Sequence, residues 1–147
     1  MQPLFGPVMQ LGFVVPDLDR AMEHWTGAVG VGPFYVMQHI KFAEAIYRGQ
    51  PTDADISVAV AQWGEVQVEL IQQFNDSPSI YSAFPGRAQG GLQHVGVMTR
   101  SVQDDLDRLR PRGIEAVQRE CSLRKFTRGR LIAEKQIGLA IIAQPLR

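Results

Sequence analysis

The chain repeats itself at an offset of 84 residues, and that repeat limits the folds open to it more than any other feature. Val8-Met9-Gln10-Leu11-Gly12-Phe13-Val14-Val15 reads as a strand, and so does Leu92-Gln93-His94-Val95-Gly96-Val97-Met98-Thr99. Gln10 therefore matches His94, and Gly12 matches Gly96. Each strand is followed by a residue suited to accept from free helix N–H groups, Asp17 in the first copy and Ser101 in the second. Apolar residues at helical spacing come next: Leu18, Met22, Trp25 and Val29, then Val102, Leu106 and Leu109. Gly27, Gly30 and Gly32 end the first helix, and Pro111 with Gly113 ends the second, because neither residue type sustains a helix.

Both copies then turn to strands. The first offers Phe34 to Phe42, Ala54 to Trp63 and Val66 to Gln73, separated by Gly49-Gln50-Pro51 and Gly64-Glu65. The second offers Ile114 to Arg119, Arg130 to Glu134 and Ile137 to Gln144. Aligning the last strands sets Val66–Ile71 against Ile137–Ile142 at an offset of 71, shorter hairpins accounting for the difference, and pairs Glu69 with Ala140. The expected fold is α+β, with two βαβββ modules in one domain over 1–147. Module one covers about 8–74 and module two about 92–147. The Pro- and Gly-rich stretch 75–91 reads as a linker with one helical turn near Ser79–Phe84. A chain of 147 residues is long enough to bury roughly two thirds of its unfolded surface.

Fifteen basic and fifteen acidic side chains cancel, which argues against a nucleic-acid or anionic-membrane partner. The balance is uneven along the chain: residues 1–74 carry three basic and eight acidic groups, and residues 75–147 carry twelve and seven. Complementary packing of the halves accounts for this. One cysteine, Cys121, excludes an intramolecular disulfide and a zinc ribbon. Without a basic segment leading into an apolar one, and without an apolar run near ~20 residues, the chain reads as cytoplasmic.

Strand alternation puts Val8, Gln10, Gly12 and Val14 on one side of the first strand and Met9, Leu11, Phe13 and Val15 on the other. The bulky side should cover the helix. Gln10 and Gly12 then point away from the helix layer, with His94 and Gly96 on the matching side of the second copy. Along Val66–Gln73 the same alternation groups Gln67, Glu69, Ile71 and Gln73. Glu69 stands among strongly apolar residues, where an ionised carboxylate is costly unless paired or metal-bound. His24, between Glu23 and Trp25, reads as exposed and idle. His39 is placed in a strand on the side of Tyr35, Met37 and Lys41, as a candidate for acid–base work or an edge histidine. No phosphate-cradling loop or Ser–His–Asp order stands out.

The strings Gln10-Leu11-Gly12-Phe13-Val14-Val15-Pro16-Asp17-Leu18-Asp19-Arg20-Ala21, Gln67-Val68-Glu69-Leu70-Ile71 and Leu92-Gln93-His94-Val95-Gly96-Val97 resemble the vicinal oxygen chelate superfamily, the glyoxalase-like metal-site proteins. The resemblance covers residues 8–118. It implies two modules forming a U-shaped, partly open barrel, commonly as a homodimer. It also implies a divalent ion such as Ni²⁺, Zn²⁺, Co²⁺, Mn²⁺ or Fe²⁺, held by one residue from the first and last strand of each module. By position these are Gln10, Glu69, His94 and Ala140. Alanine has no lone pair to offer, and in the family this place is usually a glutamate that also transfers protons. The segment Arg119 to Lys135, with six basic and two acidic residues, has no recognisable counterpart.

Two classes of function stay open, with a bland dimeric scaffold behind them. One is a metal-dependent isomerase, epimerase or lyase acting on a small oxygen-bearing substrate, with Glu69 or His39 as substitute base. The other resembles the bleomycin-resistance branch, which sequesters a small molecule without metal. The missing ligand at Ala140 weighs against the first and leaves the second untouched.

Overall fold

The computed structural model describes residues 4–122 and 138–141. Strand β1 (Val8–Val14) leads into helix α1 (Leu18–His24), which continues as a π-helical turn over Trp25–Val29. Then come β2 (Tyr35–Met37), β3 (Phe42–Tyr47), β4 (Gln50–Pro51), β5 (Ile56–Trp63) and β6 (Val66–Gln73). The second copy runs through β7 (Gly91–Met98), α2 (Val102–Leu109), β8 (Gln118–Ser122) and β9 (Gly138–Ile141). Among the described residues six strands form one sheet in the order β2-β5-β6-β1-β7-β9, and three form another, β4-β3-β8. The fold is α+β, and among the described residues its two sheets do not close into a barrel. Among the described residues no helix is long and apolar enough to cross a membrane.

Local chemistry accounts for both helix starts. Asp17, in extended conformation, accepts from the Arg20 N–H at 3.0 Å, and Ser101 accepts from the Asp104 N–H at 3.2 Å. Gly30 at φ 78° and Gly113 at φ 73° end the helical stretches in the left-handed region, where a side chain would be strained. One face of the large sheet packs on α1, burying Leu18, Ala59, Ala61, Val68 and Leu70 with Phe13, Met22 and Trp25 against them. The opposite face buries Val14, Ile56, Val58 and Ile71 under Tyr81 from the linker. Each fully buried aliphatic side chain contributes about 1.5–3 kcal/mol relative to exposure. The alternation expected for β1 and β6 is therefore the one observed, with Phe13 and Leu70 toward the helix and Val14 and Ile71 away from it.

Several expected boundaries are corrected. The run from Phe34 to Phe42 is not one strand: β2 ends at Met37, and His39 takes φ 45°, a left-handed conformation incompatible with an extended chain. His39 thus lies outside any strand. The Gly49-Gln50-Pro51 separator is a tight hairpin, with Arg48 and Gly49 both at positive φ between the paired residues Tyr47 and Gln50. In the second copy the strand expected over Ile114 to Arg119 is instead Gln118–Ser122, paired with β3 of the first copy. Ala140 stands opposite Gly96 as Glu69 stands opposite Gly12, although β9 runs antiparallel to β7 while β6 runs parallel to β1. The strand expected over Arg130 to Glu134 lies outside the described residues. The helical turn in the linker is present, with the Ala83 N–H donating to the Ser79 carbonyl at 3.0 Å.

What positions the site is the antiparallel pairing of the two repeated strands. Gln10 sits opposite Gly96 and Gly12 opposite His94, so each bulky member of one copy lies beside a glycine of the other. A bulge follows the same rule, leaving Met9 in β1 and Gln93 in β7 without a direct partner, again 84 residues apart. The glycines are required sterically. A Cβ on Gly12 would fall 2.0 Å from His94 Cε1, and one on Gly96 would fall 2.9 Å from Gln10 Cβ. Gly12→Ala should therefore cost about 1–3 kcal/mol by overpacking, because His94 is 5% exposed and cannot swing freely into solvent. Gly6→Ala, with nothing within 4 Å of its Cβ, should change stability by less than ~0.5 kcal/mol. Urea unfolding of both variants checks the contrast.

Candidate functional site

Three strands bring one row of residues together on the face away from α1. Glu69 of β6, Gly12 of β1 and His94 of β7 are direct neighbours across the sheet. Because Gly12 carries no side chain, the His94 ring lies over it and sets Nε2 3.3 Å from Glu69 Oε2. The side chains are 4% and 18% exposed, so the pair is nearly closed off on the histidine side and open at the carboxylate. In the next row Gln10 Nε2 donates to Gln67 Oε1 at 2.7 Å, which turns the Gln10 amide oxygen over Gly96. The face thus presents a carboxylate, an imidazole nitrogen and an amide oxygen. Among the described residues no three His, Cys, Asp or Glu side chains are grouped closely enough to hold a metal ion by themselves.

A second layer faces this row. Strand β8 presents Gln118 and Glu120 on the same side as the buried Ala45 of β3, and Gln118 Nε2 donates to Glu120 Oε1 at 2.5 Å. Tyr81, 6% exposed, donates its hydroxyl to Glu120 Oε2 at 3.3 Å. Glu120 is an exposed residue, but its carboxyl is turned in against Tyr81 and Gln118, and burial at that carboxyl raises its pKa to about 7. The hydrogen bonds from Gln118 and Tyr81 lower it, the Glu69 charge raises it and His94 lowers it. Burial pushes the Tyr81 hydroxyl well above its ordinary value, with the charges of Glu120 and Glu69 adding to the effect. Glu69, His94, Glu120 and Tyr81 therefore form one electrostatic unit.

Of the residues singled out in the sequence, Glu69 and His94 meet directly, and Gln10 lies one row away on the same face. His39 is not brought to them. Its Nδ1 contacts Asp55 Oδ1 at 2.8 Å, and its ring packs against Phe74 at 4.8 Å. Asp55 lies at the Gln73 end of the sheet, through the bond from the Phe74 N–H to the Asp55 carbonyl. Glu69 is four residues back along β6, roughly 13 Å at the strand rise. Sequence reading overlooked Glu120, Tyr81 and Gln93. A strand placed over 118–122 would have shown Gln118 and Glu120 sharing a face, but without the apolar neighbours that single out Glu69.

Glu120 sets a pH dependence of stability. Its folded pKa is raised above the unfolded value, so its contribution is fully present below about pH 4.5 and is lost as pH rises through about 7. Glu120→Gln should remove that loss. The melting temperature of the wild type is expected to fall between pH 5 and pH 8 by more than that of the variant. Equal slopes in calorimetric scans across this window would show that the carboxyl is not held in its neutral form.

Comparison with known proteins agrees with this architecture. Compared with curated protein sequences, the chain matches none. Among solved structures it is similar to methylmalonyl-CoA epimerase from Mycobacterium tuberculosis, at 19% identity over 77% of this chain and 68% of that one, with a TM-score of 0.53. It also matches a hypothetical protein from Bacillus halodurans at 14% identity, over 73% of this chain and 68% of that one, with a TM-score of 0.49. A selenomethionine form of a methylmalonyl-CoA epimerase matches at 17% identity, over 77% and 74% of the two chains, with a TM-score of 0.48. The model of the glyoxalase/bleomycin resistance protein/dioxygenase superfamily matches residues 9–133. With the repeated strand–helix units and the paired first strands already described, that match places the chain in the glyoxalase/bleomycin resistance/dioxygenase superfamily, the vicinal oxygen chelate proteins.

Proposed function

We propose that the chain binds a small oxygen-bearing molecule beside Glu69 and His94, with a divalent ion, and moves a proton beside a carbonyl, as an isomerase or epimerase does. The observation that carries this reading is the meeting of Glu69 and His94, one from each copy of the repeat, where Gly12 makes room for the imidazole ring and the Glu69 carboxylate stays partly open to solvent. The donor set fits an ion of the Zn²⁺ or Ni²⁺ kind: Glu69 supplies a carboxylate oxygen, His94 its Nε2 and Gln10 an amide oxygen. With Ala140 at the fourth place, the remaining positions fall to water or substrate. When bound, the ion supplies Lewis-acid polarisation of adjacent substrate oxygens.

Within this reading Gln10, Glu69 and His94 bind and orient, and the proton passes to a different side chain. Glu120 suits that task better than Glu69, which is engaged with His94, or His39, which lies at the other end of the sheet. Its carboxyl is poised near neutral pH, where a general base works best, and Tyr81 and Gln118 hold it toward the row. The fold likeness to methylmalonyl-CoA epimerase fits this reading without carrying it.

A second reading rests on a different observation. Every buried side-chain nitrogen and oxygen among the described residues has a hydrogen-bond partner, so with a proton between Glu69 and His94 the face needs no metal ion. The same face would then hold a cationic or apolar compound beside Glu69 and Glu120, in the manner of the bleomycin-resistance branch.

Calorimetric titration of Zn²⁺, Ni²⁺, Co²⁺ and Mn²⁺ into the wild type separates the two. Binding of at least one ion is expected, with Glu69→Ala and His94→Ala each abolishing the signal. Absence of heat from all four ions in the wild type would sink the metal-dependent reading and leave sequestration in its place.

A further inference from the structure

We propose that Gln93 is a positioning residue that locks the His94 imidazole with its proton on Nδ1, so that Nε2 is the nitrogen presented to Glu69. Adjacent residues of a regular strand point to opposite faces, and Gln93 would then be turned away from His94. The bulge in β7 removes that constraint. Gly12 pairs with His94 and Phe13 pairs with Leu92, which leaves Gln93 as the extra residue between them. Both residues are buried, and Gln93 Oε1 lies 2.7 Å from His94 Nδ1.

The direction of that bond follows from the other end of the amide. Gln93 Nε2 donates to the Ile80 carbonyl at 3.2 Å, and a carbonyl can only accept. The amide oxygen therefore faces His94, and because it too can only accept, Nδ1 must be the donor. A neutral imidazole carries one N–H, so Nε2 is left with a lone pair directed at Glu69 Oε2, 3.3 Å away. Two acceptors at that separation need a cation between them, either a proton or a metal ion. The lock thus turns the Glu69–His94 pair into a seat for positive charge. The first copy has Met9 at the equivalent bulge, which offers no comparable acceptor, and its Gln10 is held by Gln67 instead. The lock stands on this geometry alone, and its use in metal binding rests on the function proposed above.

The test is ¹⁵N NMR of the histidine-labelled chain at neutral pH, with and without Zn²⁺, on wild type, Gln93→Met and Gln93→Glu. The His94 signals are assigned by their loss in His94→Gln. In wild type, His94 Nδ1 is expected to stay protonated in both conditions, with only Nε2 shifting on Zn²⁺ addition. Gln93→Met fills similar space without an amide acceptor and should move most of the neutral population to the Nε2–H form, weakening Zn²⁺ binding about 10–100-fold. Gln93→Glu keeps the acceptor and should keep the wild-type pattern. An unprotonated Nδ1 in wild type, or a wild-type pattern in Gln93→Met, overturns the lock; the wild-type spectrum decides alone if Gln93→Met does not fold. If Zn²⁺ binds none of the proteins while Gln93→Met still changes the tautomer, the lock stands and the metal-dependent reading falls.

Discussion

The antiparallel pairing of β1 with β7 is the constraint on which the rest of the structure depends. It seats His94 beside Gly12 and Gln10 beside Gly96, and the absence of two β-carbons leaves room for an imidazole and an amide to lie flat on the sheet. A side chain at Gly12 would occupy the volume of the His94 ring and break its contact with Glu69. The packing of β6 along the other edge of β1 completes the row, because Glu69 is in register with Gly12. One strand therefore holds residues of both copies to a common line.

Around that line the molecule separates its apolar and polar work by strand parity. Val68 and Leu70 bury themselves under α1, while Gln67 and Glu69 on the same strand face the opposite layer. Val14, Ile71 and Tyr81 form a second apolar cluster next to the polar row. Burial raises the pKa of both Tyr81, a member of this cluster, and Glu120, to which its hydroxyl donates. The linker contributes beyond connection: Tyr81 reaches Glu120, and the Ile80 carbonyl anchors Gln93. Residues far apart in the chain thereby share one electrostatic environment.

Membership of the glyoxalase/bleomycin resistance/dioxygenase superfamily leaves a wide range of chemistry open, since a fold hosts many activities. What narrows it is the local arrangement. A carboxylate and an imidazole from different modules, an amide oxygen beside them and a neutral-range carboxyl opposite are the features on which the proton transfer proposed above rests.

The sequence by itself determined the repeat, the strand parity, both helix caps and the face on which Gln10, Glu69 and His94 lie. Those are local properties, set by side-chain periodicity and by the preference of Asp17 and Ser101 for free N–H groups. It pointed to Glu69 because a carboxylate among apolar neighbours is costly, and to His94 because the repeat matched it with Gln10. Only the tertiary structure decided the rest. His39 left its expected strand for a left-handed turn beside Asp55, which separates it from the site. Glu120 entered because β8 crosses to pair with β3 of the other copy, a contact between positions more than seventy residues apart. Gln93 reached His94 through a bulge, which reverses the face that alternation assigns to it. Strand pairing across the repeat and bulges depend on the energy of the whole sheet, and a local pattern of side chains carries no record of that energy.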